Sequence, residues 1–252
     1  MSAKKVVITG SRGIAAGLAR ALSDRGDFVY LIGGEDQDSR QLQNDCPAVI
    51  GFSSIDLRDE EKVEATFATA NTELGGITDV VGIVGGSGRS FGDGSIETIS
   101  KAAWDATLEL NLSTAFLTAR EAIRIFLKLG SGSLTLTSSV LATSPSPEFF
   151  KTHAYATAKS GINGLVTTLS AAYAQQGIRV NAVAPGLVAT PMAARAKDNP
   201  EIVEFTKKKQ PFVGNQLSVD AIVSAYLYLL ENNFVTGQVI TVDGGWTSVT
   251  NV

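Results

Sequence analysis

Lys5-Val6-Val7-Ile8-Thr9-Gly10-Ser11-Arg12-Gly13-Ile14 is the stretch from which the fold reads outward. Val6, Val7 and Ile8 form a short β-branched run that stops at Thr9-Gly10, the pattern of a buried strand. Ile14, Leu18, Ala19 and Leu22 follow at helical spacing, and Gly26 ends that helix. Between strand and helix, glycines let a backbone approach a pyrophosphate, and the helix N-terminus supplies N–H groups and a positive dipole end. A Gly-x-x-Gly is also a plain turn. Its position straight after the first strand favours nucleotide binding, through Gly10, Ser11, Arg12, Gly13 and Ile14.

The same alternation continues along the chain. Strands are expected at Phe28 to Ile32, Ala48 to Phe52, Asp79 to Val84, Ser133 to Thr137, Arg179 to Ala184 and Gln238 to Val242. Asp59 can cap a helix with Val63, Phe67, Ala70 and Leu74 inward. Ser100 can cap one long helix carrying Trp104, Leu108, Phe116 and Ile123, and Ser218 another reaching Leu230. Strands alternating with helices imply βαβ units. Right-handed crossovers then place helices on both faces. The expectation is an α/β, single-domain, Rossmann-like doubly wound parallel sheet of about seven strands over residues 1–252. Ligands in such sheets bind beyond the carboxyl ends of the strands. The Gly-rich and polar segments fall there: Gly10 to Gly13, Gly85 to Gly94, Ser138-Ser139 and Pro185 to Thr190.

The bulk numbers remove several function classes. A length of 252 residues suffices for one large domain. The net charge of −4 argues against a nucleic-acid footprint. The single cysteine, Cys46, excludes an intramolecular disulfide and a Cys-rich metal site, and reads as inert packing. The apolar run after Met1-Ser2-Ala3-Lys4-Lys5 is too short for a signal peptide, and no run is long enough to span a membrane. A cytoplasmic protein with no metal, no nucleic-acid partner and no membrane partner is expected.

Tyr155 and Lys159 lie four residues apart, so a hydroxyl and an ammonium share one helix face. A nearby cation favours a phenolate and lowers a pKa that starts at about 10. A tyrosine so adjusted can act as general acid and base on a carbonyl. A solvated Tyr/Lys pair is the bland alternative, and the pair alone is weak. Ser139 and Asn111, upstream of it, give it context.

With these residues in place, the chain resembles the short-chain dehydrogenase/reductase family over essentially its whole length. The Thr9 to Ala15 segment is similar to the family's T-G-x-x-x-G-x-G, one residue shorter between the glycines and with Ala15 at the last Gly. Asp56-Leu57 resembles the pair that contacts adenine, Asn111-Leu112 the helix asparagine of a proton relay, and Ser139 the active-site serine. Tyr155 and Lys159 match Y-x-x-x-K. Pro185, Gly186, Val188 and Thr190 fall in a segment similar to the one beside the nicotinamide, and Gly85 in the loop after the fourth strand. There Ile83-Val84-Gly85-Gly86 replaces the frequent N-N-A-G. The resemblance implies an NAD(P)-dependent oxidoreductase that interconverts a secondary alcohol and a ketone. Tyr155 would exchange the proton, and Lys159 would lower its pKa and hold the nicotinamide ribose. Ser139 would polarise the carbonyl, and Asn111 would hold a relay water. It also implies a small-molecule substrate and a homotetramer. NADP is favoured over NAD, because Gly33 offers no carboxylate at the end of the second strand and Arg12 suits a phosphate. Glu35, Asp36 and Asp38 pull the other way. The alternatives are an enoyl reductase, which usually spaces Tyr and Lys by seven, and a catalytically silent nucleotide-binding regulatory protein.

The remaining features read more plainly. His153, the only histidine, fits a loop surface better than a substrate site. Lys207-Lys208-Lys209 fits a solvated face better than anion steering. Arg89 is a candidate to pair a substrate carboxylate, although an ordinary loop residue is the simpler reading. The segment 187–215, polar and bounded by Pro191 and Pro211, reads as a lid that orders on ligand binding.

Overall fold

A computed structural model describes residues 3–249. Seven strands form one sheet: β1 (Lys5–Thr9), β2 (Phe28–Ile32), β3 (Val49–Ser53), β4 (Asp79–Gly82), β5 (Gly132–Thr137), β6 (Ile178–Pro185) and β7 (Val239–Val242). Their order is β3-β2-β1-β4-β5-β6-β7, and every pairing is parallel. The helices are α1 (Ile14–Asp24), α2 (Asp36–Asp45), α3 (Glu60–Glu73), α4 (Lys101–Leu108), α5 (Thr114–Leu129), α6 (His153–Tyr173), α7 (Ala194–Asp198), α8 (Pro200–Lys209) and α9 (Val219–Glu231). The period of two along each strand sends side chains to opposite faces. Val6 and Ile8 of β1 join a core with Leu18 and Leu22 of α1, Leu42 of α2 and Ile222 of α9. Val7 faces the other way, into a core with Phe67 of α3, Phe126 of α5 and Ile162 of α6. Two cores on one sheet are the doubly wound architecture expected.

The strand order reverses between β1 and β4, so their carboxyl ends open a crevice. Thr9 closes its floor by accepting the N–H groups of Ile83 and Val84 at 2.8 and 3.1 Å. Two helical expectations need correction. The long helix expected from Ser100 is broken into α4 and α5 by a π-helical turn, Glu109–Ser113. The Asn111 amide bonds the Thr107 carbonyl and the Thr114 hydroxyl bonds that of Leu110, 2.9 and 2.8 Å away, so side chains serve the carbonyls around the widened turn. The segment around 187–215 holds α7 and α8 rather than plain loop. Asn199 caps α8 by accepting from Glu201 and Ile202, and Ile202, Thr206 and Lys209 pack inward.

Candidate active site

A cleft of about 680 Å³ lies over the carboxyl ends of the strands. At one end stand Gly10, Ser11, Arg12, Gly13 and Ile14, between β1 and α1. Gly85 is on the wall. Pro185, Gly186, Val188 and Thr190 come from the end of β6 and the loop after it, and Ser139, Tyr155 and Lys159 from β5's end and α6. Asn111 lies just behind the wall, fully buried in the π turn. The structure does not bring Asp56 or Leu57 to the cleft. Arg58 holds the Asp56 carboxylate in a fork, with 2.6 Å between Nη2 and Oδ2, and that contact keeps the Asp56 pKa low. Leu57 is buried in the core. His153 stands exposed at the start of α6, outside the cleft, and Cys46 is a buried free thiol.

The Ser139 hydroxyl accepts the Leu141 N–H at 3.2 Å, which leaves its own O–H to donate toward the cleft. Burial raises the Tyr155 pKa, and a hydrogen bond with Ser139 opposes the rise. Lys159 is 3% exposed, and burial pushes it down to about 8. Its Nζ donates to the Thr137 carbonyl at 2.8 Å and lies 5.6 Å from the centre of the Tyr155 ring. The expectation that Lys159 depresses Tyr155 is therefore corrected for the protein without ligand. Desolvation acts first on both groups, and the ammonium is committed to a carbonyl rather than to the phenol. At neutral pH Tyr155 is a protonated acid.

Asn111 accepts from the Gly86 N–H at 3.1 Å and donates to the Gly86 carbonyl at 2.9 Å. It thereby braces the loop in which the family's usual asparagines are missing. Gly85 shows how closely that loop approaches: a Cβ there would meet Asn111 Oδ1 at 2.7 Å and Lys159 Nζ at 3.2 Å. Asp93 holds the other side of Tyr155. Its two carboxylate oxygens accept the N–H groups of Ala154 and Tyr155 at 3.1 and 2.9 Å, capping α6, whose own N-cap Thr152 makes no side-chain cap. No motif marks Asp93, because the capped helix begins some sixty residues further on.

A dinucleotide fits this cleft. The Ser11 hydroxyl is buried with no partner among the described residues, beside the N-terminus of α1, where an anionic oxygen would satisfy it. Gly34, at φ 82°, packs so tightly on Ser11 that a Cβ there would collide with it. Arg12 lines the cleft and pairs with Asp38 at 3.3 Å, both groups remaining solvated.

Comparison with known proteins agrees with the geometry. The family model described as enoyl-(acyl carrier protein) reductase matches residues 8–247. A cis-4-hydroxycyclohexanecarboxylate dehydrogenase of Sinomonas cyclohexanicum is 32% identical, covering 96% of both chains. A 3beta-hydroxysteroid dehydrogenase 1 of Eggerthella lenta is 33% identical, covering 98% of this chain and 95% of the relative. The solved structure of a short-chain type dehydrogenase/reductase from Mycobacterium ulcerans superposes with a TM-score of 0.90 at 25% identity, covering 98% of this chain and 92% of the other. The chain belongs to the short-chain dehydrogenase/reductase family. It is an oxidoreductase that uses a nicotinamide cofactor.

Proposed function

We propose that the chain interconverts a secondary alcohol and a ketone, with Tyr155 as the general acid and base. The observation that carries this is the meeting of Ser139, Tyr155 and Lys159 on one cleft wall. A bound nicotinamide would supply the hydride for ketone reduction, or accept it in alcohol oxidation. As negative charge builds on the substrate oxygen, Ser139 donates a hydrogen bond to it and Tyr155 transfers its proton. Lys159 places positive charge beside the tyrosine at that moment. Asn111 positions Lys159 by fixing Gly86 and the close approach of Gly85. Gly10, Ser11 and Gly13 would hold the pyrophosphate of a bound cofactor, and Pro185, Gly186, Val188 and Thr190 would line its nicotinamide end. A second reading, an enoyl reductase, draws on the description of the matching family model. The four-residue spacing of Tyr155 and Lys159 disfavours it.

NADP is the proposed cofactor. Gly33 puts no carboxylate at the end of β2, and the Arg12 fork suits a 2′-phosphate. Oxidation of NADPH and NADH with a ketone panel tests both parts. NADPH should win in kcat/KM, and Arg12→Ala should lower its value by about tenfold or more while sparing NADH. Preference for NADH with an unchanged ratio in the variant would refute the cofactor assignment, and the absence of turnover with every ketone would refute the reaction.

A homotetramer is proposed as well. Phe116 and Leu127 on one face of α5, and Leu129 at its end on another, stay in solvent at 47, 47 and 52% exposure. Light scattering should find four copies at micromolar concentration, and a monomer would overturn it.

A further inference from the structure

Away from the phosphate loop, the cleft ends in a wall that the carbonyl chemistry does not use. Arg89 comes from a short 3₁₀ turn, Arg89–Phe91, after β4, and Arg195 from α7. Both line the cleft with Phe150 and Trp246, as do Ser139 and Tyr155. The Nη2 atoms of both arginines donate to one acceptor, the Phe149 carbonyl, at 3.1 and 2.9 Å. Both guanidinium groups also stand over the Phe150 ring, 6.0 and 5.9 Å from its centre. Two positive forks thus lie side by side on one carbonyl and one ring.

Among the described residues neither fork has an ion-pair partner, a condition shared by Arg20 and Arg179 outside the cleft, whereas Arg12, Arg25, Arg40, Arg58, Arg120 and Arg124 each have one. The field of Asp93 reaches Arg89, but both Asp93 oxygens are occupied by the N–H groups of α6. Burial, and next the like charge of Arg195, depress the Arg89 pKa, so the local field is positive. Each guanidinium carries five N–H donors in a plane, and the bond to Phe149 leaves others free. An anion placed between the forks would relieve their repulsion and take those donors. A planar carboxylate fits such forks best.

We propose that Arg89 and Arg195 bind a carboxylate carried by the substrate, so that the natural substrates are hydroxy or oxo acids. This deepens, and rests on, the reading of the cleft as a site for carbonyl and alcohol chemistry. Phe150 and Trp246, which meet edge-on at 5.5 Å on the cleft wall, give the rest of such a substrate an apolar bed, and Phe205 of α8 backs Trp246 at 5.8 Å from outside the lining.

Calorimetric titration of the full chain with benzoate and with its neutral counterpart benzamide, in excess NADP, tests the proposal without turnover. Benzoate should bind at least about tenfold tighter, and Arg195→Met or Arg89→Met should bring the two ligands to near parity. Arg195 is exposed, so its variant folds and decides the matter alone should Arg89→Met prove unstable. Equal binding, no binding of benzoate, or a preference that survives Arg195→Met would overturn the proposal. Because no hydride moves, this result stands apart from the reaction itself, which the turnover of Tyr155 variants judges.

Discussion

Tyr155→Phe should lower kcat by about 10² or more, the range for loss of a general acid. The variant keeps the ring and its packing, and Ser139 is the side chain that acts on the lost hydroxyl. Removing that contact should change stability by only about 1 kcal/mol. Cofactor affinity, followed through the fluorescence of reduced nicotinamide, should stay within a few-fold of wild type. Because burial keeps the phenol protonated at neutral pH, the loss should appear first in ketone reduction, where Tyr155 must donate. Wild-type turnover in the variant would mean that another group supplies the proton.

Lys159→Met should abolish most activity and yet stabilise the ligand-free protein at pH 7. Folding buries an ammonium whose pKa falls from 10.5 to about 8. The unfolded chain holds that proton more tightly, so the charge destabilises the fold. The penalty is fully present below pH 8 and is relieved as pH rises from 8 to 10.5, because the folded state sheds the proton first. The shift corresponds to about 3 kcal/mol. Loss of the bond to the Thr137 carbonyl offsets about 1 to 2 kcal/mol of it. Thermal melts should place the variant above wild type at pH 7 and bring the two together toward pH 10. A variant that melts below wild type at pH 7, or by a margin independent of pH, would show that Lys159 is not held under desolvation.

Most of the scaffold was legible because it rests on local chemistry. β2 runs from Phe28 to Ile32 as its β-branched and aromatic run predicts, and Asp59, Ser100 and Ser218 each cap the helix that follows. The helix α2 went unread because it buries only Ser39 and Leu42, and Asp36, Gln37 and Asp38 carry no apolar period. The π turn at Glu109–Ser113 leaves no mark in the hydrophobic spacing, which simply runs on. A signal for α8 is present in Asn199-Pro200, a cap followed by proline at the first helical position, inside the segment that Pro191 and Pro211 bound.

The site divides in the same way. Ser139, Tyr155 and Lys159 meet because the end of β5 and one turn of α6 bring them there. Asp56 and Leu57 do not line the cleft itself: Arg58 holds Asp56, and Leu57 packs against Gly33 at the end of β2. Asp93 on α6 and Arg195 beside Arg89 depend on contacts between distant segments, which spacing along the chain cannot reveal. The ordering of electrostatic effects also needed the structure: the Tyr155 and Lys159 spacing suggests attraction, whereas their burial decides both pKa values.

Transfer of deuterium from a reduced cofactor labelled at the nicotinamide C4 tests the central claim most directly. Products from an oxo acid and from an unsaturated acyl thioester would be analysed by mass spectrometry, with wild type and Tyr155→Phe. The account predicts one deuterium on the carbinol carbon of the hydroxy acid, little label in the variant, and none in the thioester. Label on a carbon of the reduced double bond, or an unlabelled alcohol, would contradict it.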